Sequence, residues 1–99
     1  MADVPVPRRA RVLEVGCGTG AVTRELAAWP GVAEVVGLDP SPTFLASARR
    51  HHAPGNVAFV QGDARALRFQ DRSFDVVVFH TTLCHVPEPE RALRQAARV

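Results

Sequence analysis

The stretch RVLEVGCGTG, residues 11–20, decides the fold predicted for this chain. Its apolar first half is typical of a buried β-strand, and the segment after it, residues 21–29, has the spacing of a helix. Between them, glycine occupies every second position: Gly16, Gly18 and Gly20. Glycine adopts positive φ without strain, and its missing side chain lets a ligand reach the backbone. We therefore interpret the stretch as the first turn of a nucleotide-type cofactor site, with backbone N–H groups as donors.

Length, composition and charge favour one small folded domain. The chain has 99 residues, 46% of them hydrophobic, and a formal net charge of +2. Its 12 basic residues are scattered arginines, which we interpret as solvated helix faces, and we predict no nucleic-acid partner. No apolar run is long enough for a membrane span or a signal core. Cys17 and Cys84 form no CxxC pair, so we expect no disulfide framework and a cytoplasmic location.

The apolar pattern predicts strands that alternate with helices. The predicted strands are residues 12–15, 33–38, 57–61 and 74–79. The predicted helices are residues 21–29, 41–50 and 90–99, and Ser41 and Pro42 give the second one a good start. For residues 64–72 we predict a short turn of helix followed by a loop. This alternation predicts the α/β class: a Rossmann-like parallel sheet of strand order 3-2-1-4, with helices on both faces.

Three acidic residues fall at or near the carboxyl ends of predicted strands. Glu14 lies in strand one, Asp39 follows strand two and Asp63 follows strand three. Ligands of open α/β sheets bind at this edge, and an acid in the position of Asp39 can accept hydrogen bonds from both hydroxyls of a ribose. Asp63 follows a glycine and is placed to accept from an exocyclic amine such as that of adenine. Each acid alone has a simpler interpretation as a cap or turn residue, but their joint placement with the glycine loop favours a nucleotide site.

In this order, the segments resemble the class I S-adenosylmethionine-dependent methyltransferases of the small-molecule type. VLEVGCGTG resembles the first motif of that family, VVGLDPS the second, QGDA the third and FDVVVFHTTLCHV the fourth. The likeness extends from Arg11 to Val99. It implies that residues 1–99 form a single S-adenosylmethionine-binding domain, which transfers the sulfonium methyl group to an unidentified small-molecule acceptor.

The resemblance also implies a role for each matching position. Backbone atoms around Gly16, Cys17 and Gly18 would hold the methionine part of S-adenosylmethionine. Its amino group would be faced by the side chain of Glu14 and approached by the backbone of His80.

The nucleoside part of the cofactor is matched by the second and third motifs. There, the resemblance implies that Asp39 binds the ribose hydroxyls and that Pro40 lies beside the adenine. Asp63 would accept from the adenine amine, and the N–H of Ala64 would reach a ring nitrogen.

The methyl transfer needs a general base only if the acceptor must lose a proton. His80 and His85 lie in the right region for such a base, although each has a simpler interpretation as an ordinary loop or packing residue. Together with Cys84 they match no common zinc spacing, so we predict no metal. The catalytic residues stay unassigned.

The sequence ends within the helix that is predicted after strand four, whereas members of the family continue with a fifth strand and a hairpin. We therefore expect the cofactor half of the site without the acceptor half, and an apolar edge at strand four that is a candidate for pairing with another chain. Two alternatives stay open. A non-catalytic remnant would bind cofactor weakly or depend on a partner. A nicotinamide dehydrogenase would use the GxGxxA pattern of Gly16, Gly18 and Ala21, but Glu14 and Asp63 argue against it.

Overall fold

A computed structural model describes residues 9–51, 54–79 and 88–99. Its strands are β1 (Ala10–Val15), β2 (Val32–Asp39), β3 (Val57–Gln61) and β4 (Val76–Phe79). Its helices are α1 (Ala21–Ala27), α2 (Pro42–Arg50) and α3 (Pro89–Arg98). All neighbouring strands are parallel, and their order in the sheet is β3-β2-β1-β4. The predicted fold class and strand order are therefore confirmed.

The two faces of the sheet carry separate hydrophobic clusters. In β1, the side chain of Val12 joins one cluster, whereas Leu13 and Val15 join the other. In β2, Val35 and Val36 divide in the same way. Successive side chains of a strand point to opposite faces, so apolar cover on both faces explains why these strands are continuously apolar instead of alternating.

The helices begin and end for local reasons. The hydroxyl of Ser41 accepts a hydrogen bond from the N–H of Phe44 (3.1 Å), so the predicted start of α2 is confirmed. Helix α1 ends at Ala27, earlier than predicted, because the N–H groups of Ala28 and Trp29 donate three residues back in a tightened final turn.

The connection between β3 and β4 differs most from the prediction. Residues 64–72 form turns without a helix. Strand β4 begins at Val76, and Phe74 instead packs its ring edge-on against Phe69, with 5.0 Å between the ring centroids. The N–H of Phe74 donates to the carbonyl of Val99 (2.8 Å) and not to β1, and contact with β1 starts only at Asp75, whose N–H donates to the carbonyl of Arg11 (2.8 Å).

No helix in the described part of the chain is long and apolar enough to cross a membrane. Within the same part, β3 and β4 are the edge strands of the sheet.

Candidate cofactor site

The carboxyl ends of β1, β2 and β3 lie at one edge of the sheet. Because the strands are parallel and in register, Glu14 pairs with Gly37, and Asp39 pairs with Gln61 just before Asp63. The three acids predicted from the sequence are therefore brought to the same end of the sheet.

The glycine loop, residues 16–20, has a tightly packed part and an open part. A Cβ atom at Gly20, where φ is 87°, would lie 2.7 Å from Cζ of Phe59, so a side chain there would have to displace the Phe59 ring. At Gly18, φ is 56° and a Cβ atom would meet no atom within 4 Å. Gly20 is thus required for packing, whereas Gly18 presents its backbone to open space that a ligand can enter.

The N–H groups at the start of the glycine loop have partners in β2. Those of Gly16 and Cys17 both donate to the carbonyl of Leu38, at 2.7 and 3.0 Å. That of Gly18 donates to Oδ2 of Asp39 at 3.0 Å. The first part of the loop is thereby tied to β2, because these three N–H groups already have acceptors there. The open surface that this part of the loop offers a ligand is at Gly18.

Asp39 connects the loop to the end of β2. Its side chain is buried, with Oδ2 accepting from Gly18 and Oδ1 accepting from the N–H of Ser41 at 2.9 Å. An ionised carboxylate has about four acceptor positions. Asp39 therefore fixes the loop and still has acceptor capacity for a ligand.

Glu14 has a partner that the sequence did not reveal. The hydroxyl of Thr23, in α1, donates to Oε1 of Glu14, and both side chains are 0% exposed. Nothing in the local pattern distinguishes Thr23 from an ordinary polar helix residue. Only the packing of α1 on the sheet places its hydroxyl against the acid of β1.

Asp63 is held by Arg65. Nε and Nη2 of the guanidinium donate to Oδ1 and Oδ2 at 3.1 and 2.8 Å, and the backbone N–H of Arg65 also donates to Oδ1 at 2.8 Å. The side-chain hydrogen bonds from Arg65 lower the pKa of Asp63 to about 2. The predicted adenine acceptor is thus an ionised carboxylate already engaged by its neighbour.

A cavity of about 570 Å³ opens at the ends of β2 and β3. Its walls are largely apolar, and its charged groups are Asp63 and Arg68. The other lining residues are Leu38, Pro40, Val60, Gln61, Gly62, Ala66 and Phe69. The structure therefore brings the predicted residues Pro40 and Asp63 to one cavity, with the side chain of Ala64 buried in the core beside it.

Cys17 is a packing residue of the loop. Burial, together with the charges of Asp39 and Glu14, raises the pKa of its thiol to about 12. A thiol that stays protonated is a poor nucleophile and a poor metal ligand. Across residues 9–51, 54–79 and 88–99, no group of three His, Cys, Asp or Glu side chains is placed to hold a metal ion. His80, Cys84 and His85 lie outside the described residues.

Comparison with known proteins identifies the family. The model of the methyltransferase domain matches residues 13–99, and this chain belongs to the class I S-adenosylmethionine-dependent methyltransferases. The demethylmenaquinone methyltransferase of Staphylococcus aureus is 39% identical over 101 residues, which cover 100% of this chain and 42% of that protein.

Two solved structures have the same fold. The methyltransferase in a complex with the Trm112 activator of Haloferax volcanii superimposes with a TM-score of 0.89 at 31% identity, covering 98% of this chain and 43% of that one. An S-adenosylmethionine-dependent methyltransferase from Mesorhizobium loti gives a TM-score of 0.81 at 28% identity, covering 98% and 45%. The chain thus spans less than half the length of each of these three proteins.

Proposed function

We propose that this chain binds S-adenosylmethionine and forms the cofactor half of a methyltransferase that acts on a small-molecule acceptor. The observation that carries the proposal is the position of Asp39. This buried carboxylate joins the open face of the glycine loop to the end of β2, next to a cavity lined by Pro40 and Asp63.

The chemistry of the site fits the parts of this cofactor. Backbone carbonyl oxygens of the glycine loop would accept hydrogen bonds from an ammonium group such as that of methionine. The acceptor capacity of Asp39 suits two neighbouring ribose hydroxyls. The largely apolar cavity of about 570 Å³ lies within the usual size range of small-molecule sites and suits a purine base.

When bound, S-adenosylmethionine supplies a methyl group activated by positively charged sulfur. The chain's own residues then have to bind and orient: Asp39 and the glycine loop hold one part, and the cavity residues hold the base. Alignment of the two reactants supplies much of the rate. His80 or His85 would serve as a base only for an acceptor that must lose a proton. Because the Staphylococcus aureus relative is named for demethylmenaquinone, a small-molecule acceptor is the class we propose.

Calorimetric titration with S-adenosylhomocysteine tests the proposal. We expect saturable binding to the full chain and at least about tenfold weaker binding to Asp39→Ala, because hydrogen bonds to charged groups are among the strong ones. Glu25→Gln is the matched control, since Glu25 is an exposed acid of the neighbouring α1. NAD serves as the control ligand.

Each outcome has a distinct meaning. Binding of NAD alone would favour a nicotinamide enzyme. Binding of neither ligand, in a chain that circular dichroism shows to be folded, would favour a remnant without cofactor. Equal losses of affinity in Asp39→Ala and Glu25→Gln would remove the proposed role of Asp39.

A further inference from the structure

We infer that Arg65 determines the base selectivity of the cofactor site by fixing Asp63 so that one acceptor position of its carboxylate is left for a base. The inference rests on the proposed function, because it assigns the cavity at the ends of β2 and β3 to the base of the cofactor. Arg65 is a positioning residue in this proposal, since it acts on the ligand through Asp63.

The count of hydrogen bonds leads to this assignment. Oδ1 of Asp63 accepts from both Nε and the backbone N–H of Arg65, so its two lone pairs are used. Oδ2 accepts only from Nη2 among the described residues, at 2.8 Å. One well-defined acceptor position therefore remains, on Oδ2.

The guanidinium is what keeps this position in place. The side chain of Asp63 is 47% exposed, and among the described residues Arg65 supplies the hydrogen bonds to its carboxylate. A bidentate pair fixes orientation as well as charge. Without the fork of two N–H donors, the carboxylate can rotate and its open acceptor position is no longer directed.

Two further charged side chains lie near the Asp63–Arg65 pair. Arg91 of α3 lies close enough to contribute to the lowered pKa of Asp63, and Glu88, before α3, contributes to the raised pKa of Arg65. Arg91 and Glu88 also pair with each other, at 3.6 Å. With a pKa of about 2, the carboxylate of Asp63 is ionised near neutral pH, as an unshifted aspartate also is.

The selectivity follows from the open acceptor. An adenine amine has protons to donate to Oδ2, whereas the oxo group of hypoxanthine has none and would face a negative charge. A site with a fixed acceptor discriminates against the base that lacks the donor, because the acceptor is left unpaired and faces the oxo group of that base.

The experiment compares two ligands that differ at this group. The full chain is titrated with S-adenosylhomocysteine and with S-inosylhomocysteine, in which an oxo group replaces the 6-amino group. We expect preference for the adenosyl compound, and a decrease of the affinity ratio by about fivefold in Arg65→Ala, the upper end for an exposed ion pair. Arg65→Lys should behave like Arg65→Ala, because an ammonium group cannot form the fork.

Two further substitutions separate the positioning of Asp63 by Arg65 from a general change of charge. Arg94→Ala is the matched control, since Arg94 is an exposed arginine of α3, and it should leave the ratio unchanged. Asp63→Asn should lower the ratio by itself, and adding Arg65→Ala to it should have no further effect. This double-mutant cycle separates positioning from general charge.

Several results would overturn the inference. An unchanged ratio in Arg65→Ala would show that Asp63 needs no positioning, and an increased ratio would show that Arg65 competes with the base. A ratio kept by Arg65→Lys would show that charge suffices without the fork. These results leave the proposed function intact, whereas failure of the unsubstituted chain to bind S-adenosylhomocysteine would overturn both.

Discussion

At the scale of single residues, Thr23 is a hydrogen-bond donor to Glu14, the buried acid of β1. Its hydroxyl donates to Glu14 where both side chains are fully buried. Valine keeps the shape of threonine and removes the donor. We expect Thr23→Val to lower the free energy of unfolding by about 1–3 kcal/mol, the usual cost when a buried polar group loses a hydrogen bond. Urea unfolding followed by circular dichroism measures the change.

Serine at the same position is the matched control. Thr23→Ser keeps the hydroxyl and loses one methyl group, so its cost should be about 1 kcal/mol, close to that of one buried methylene. If valine were tolerated as well as serine, packing of the methyl group would be the role of Thr23.

The thiol of Cys17 makes stability depend on pH. Burial raises its pKa from 9.0 to about 12, so the folded chain keeps the proton over a range in which the unfolded chain loses it. Titration of this thiol therefore does not change stability well below pH 9 and progressively lowers it from pH 9 towards 12. We expect Cys17→Ser to weaken the dependence of urea unfolding on pH in this window, relative to the unsubstituted chain. The same slope in both chains would contradict the assignment.

At the scale of elements, the glycine loop, which connects β1 to α1, packs against β3. A Cβ atom at Gly20 would lie 2.7 Å from the ring of Phe59, at a φ of 87°. We expect Gly20→Ala to lower the free energy of unfolding by about 2–4 kcal/mol, because left-handed strain and overpacking add. Thermal unfolding measures the loss.

Substitutions at two other glycines separate the cost of left-handed strain from the cost of overpacking. At Gly55 a Cβ atom meets nothing within 4 Å and no left-handed φ is required, so Gly55→Ala should leave stability nearly unchanged. At Gly18 the space is open but φ is 56°, so Gly18→Ala should cost about 1–2 kcal/mol from strain. Gly18→Ala should also weaken S-adenosylhomocysteine binding, because its methyl group enters the open space at the loop. An unchanged affinity would place the ligand elsewhere.

At the scale of the whole molecule, Arg98 joins α3 to the connection between β3 and β4. Its guanidinium donates to the carbonyls of Leu67 and Phe69 and to the carboxylate of Asp71, at 2.8, 2.7 and 2.8 Å. We expect Arg98→Ala to lower the free energy of unfolding by about 1–2 kcal/mol, since several partly buried hydrogen bonds are lost together. Chemical denaturation gives the value.

The control for Arg98 lies one turn earlier in the same helix. Arg94 is exposed, so Arg94→Ala should stay within about 0.5 kcal/mol of the unsubstituted chain. A loss as large as that of Arg98→Ala would mean that helix propensity or net charge, and not the bonds to the connection, accounts for the effect.

The fold was predictable because its signals are local. Apolar runs, the glycine loop and the Ser41–Pro42 helix start each depend on a few neighbouring residues, and parallel order follows from their alternation. The connection after β3 was predicted less well: residues 64–72 form turns. Arg98 and Val99, far along the chain, hold that connection by hydrogen bonds, so short-range propensity did not decide it.

The sequence by itself determined the α/β sheet, its strand order and the placement of Glu14, Asp39 and Asp63 at one edge. These features follow from local apolar runs, which define where each strand ends. Only the tertiary structure decided what those acids contact. The loop donates its N–H groups to Leu38 and Asp39, about twenty residues away in the chain. A hydrogen bond needs its two atoms within about 3 Å, and that distance is set by how strands and helices pack rather than by the identity of either residue.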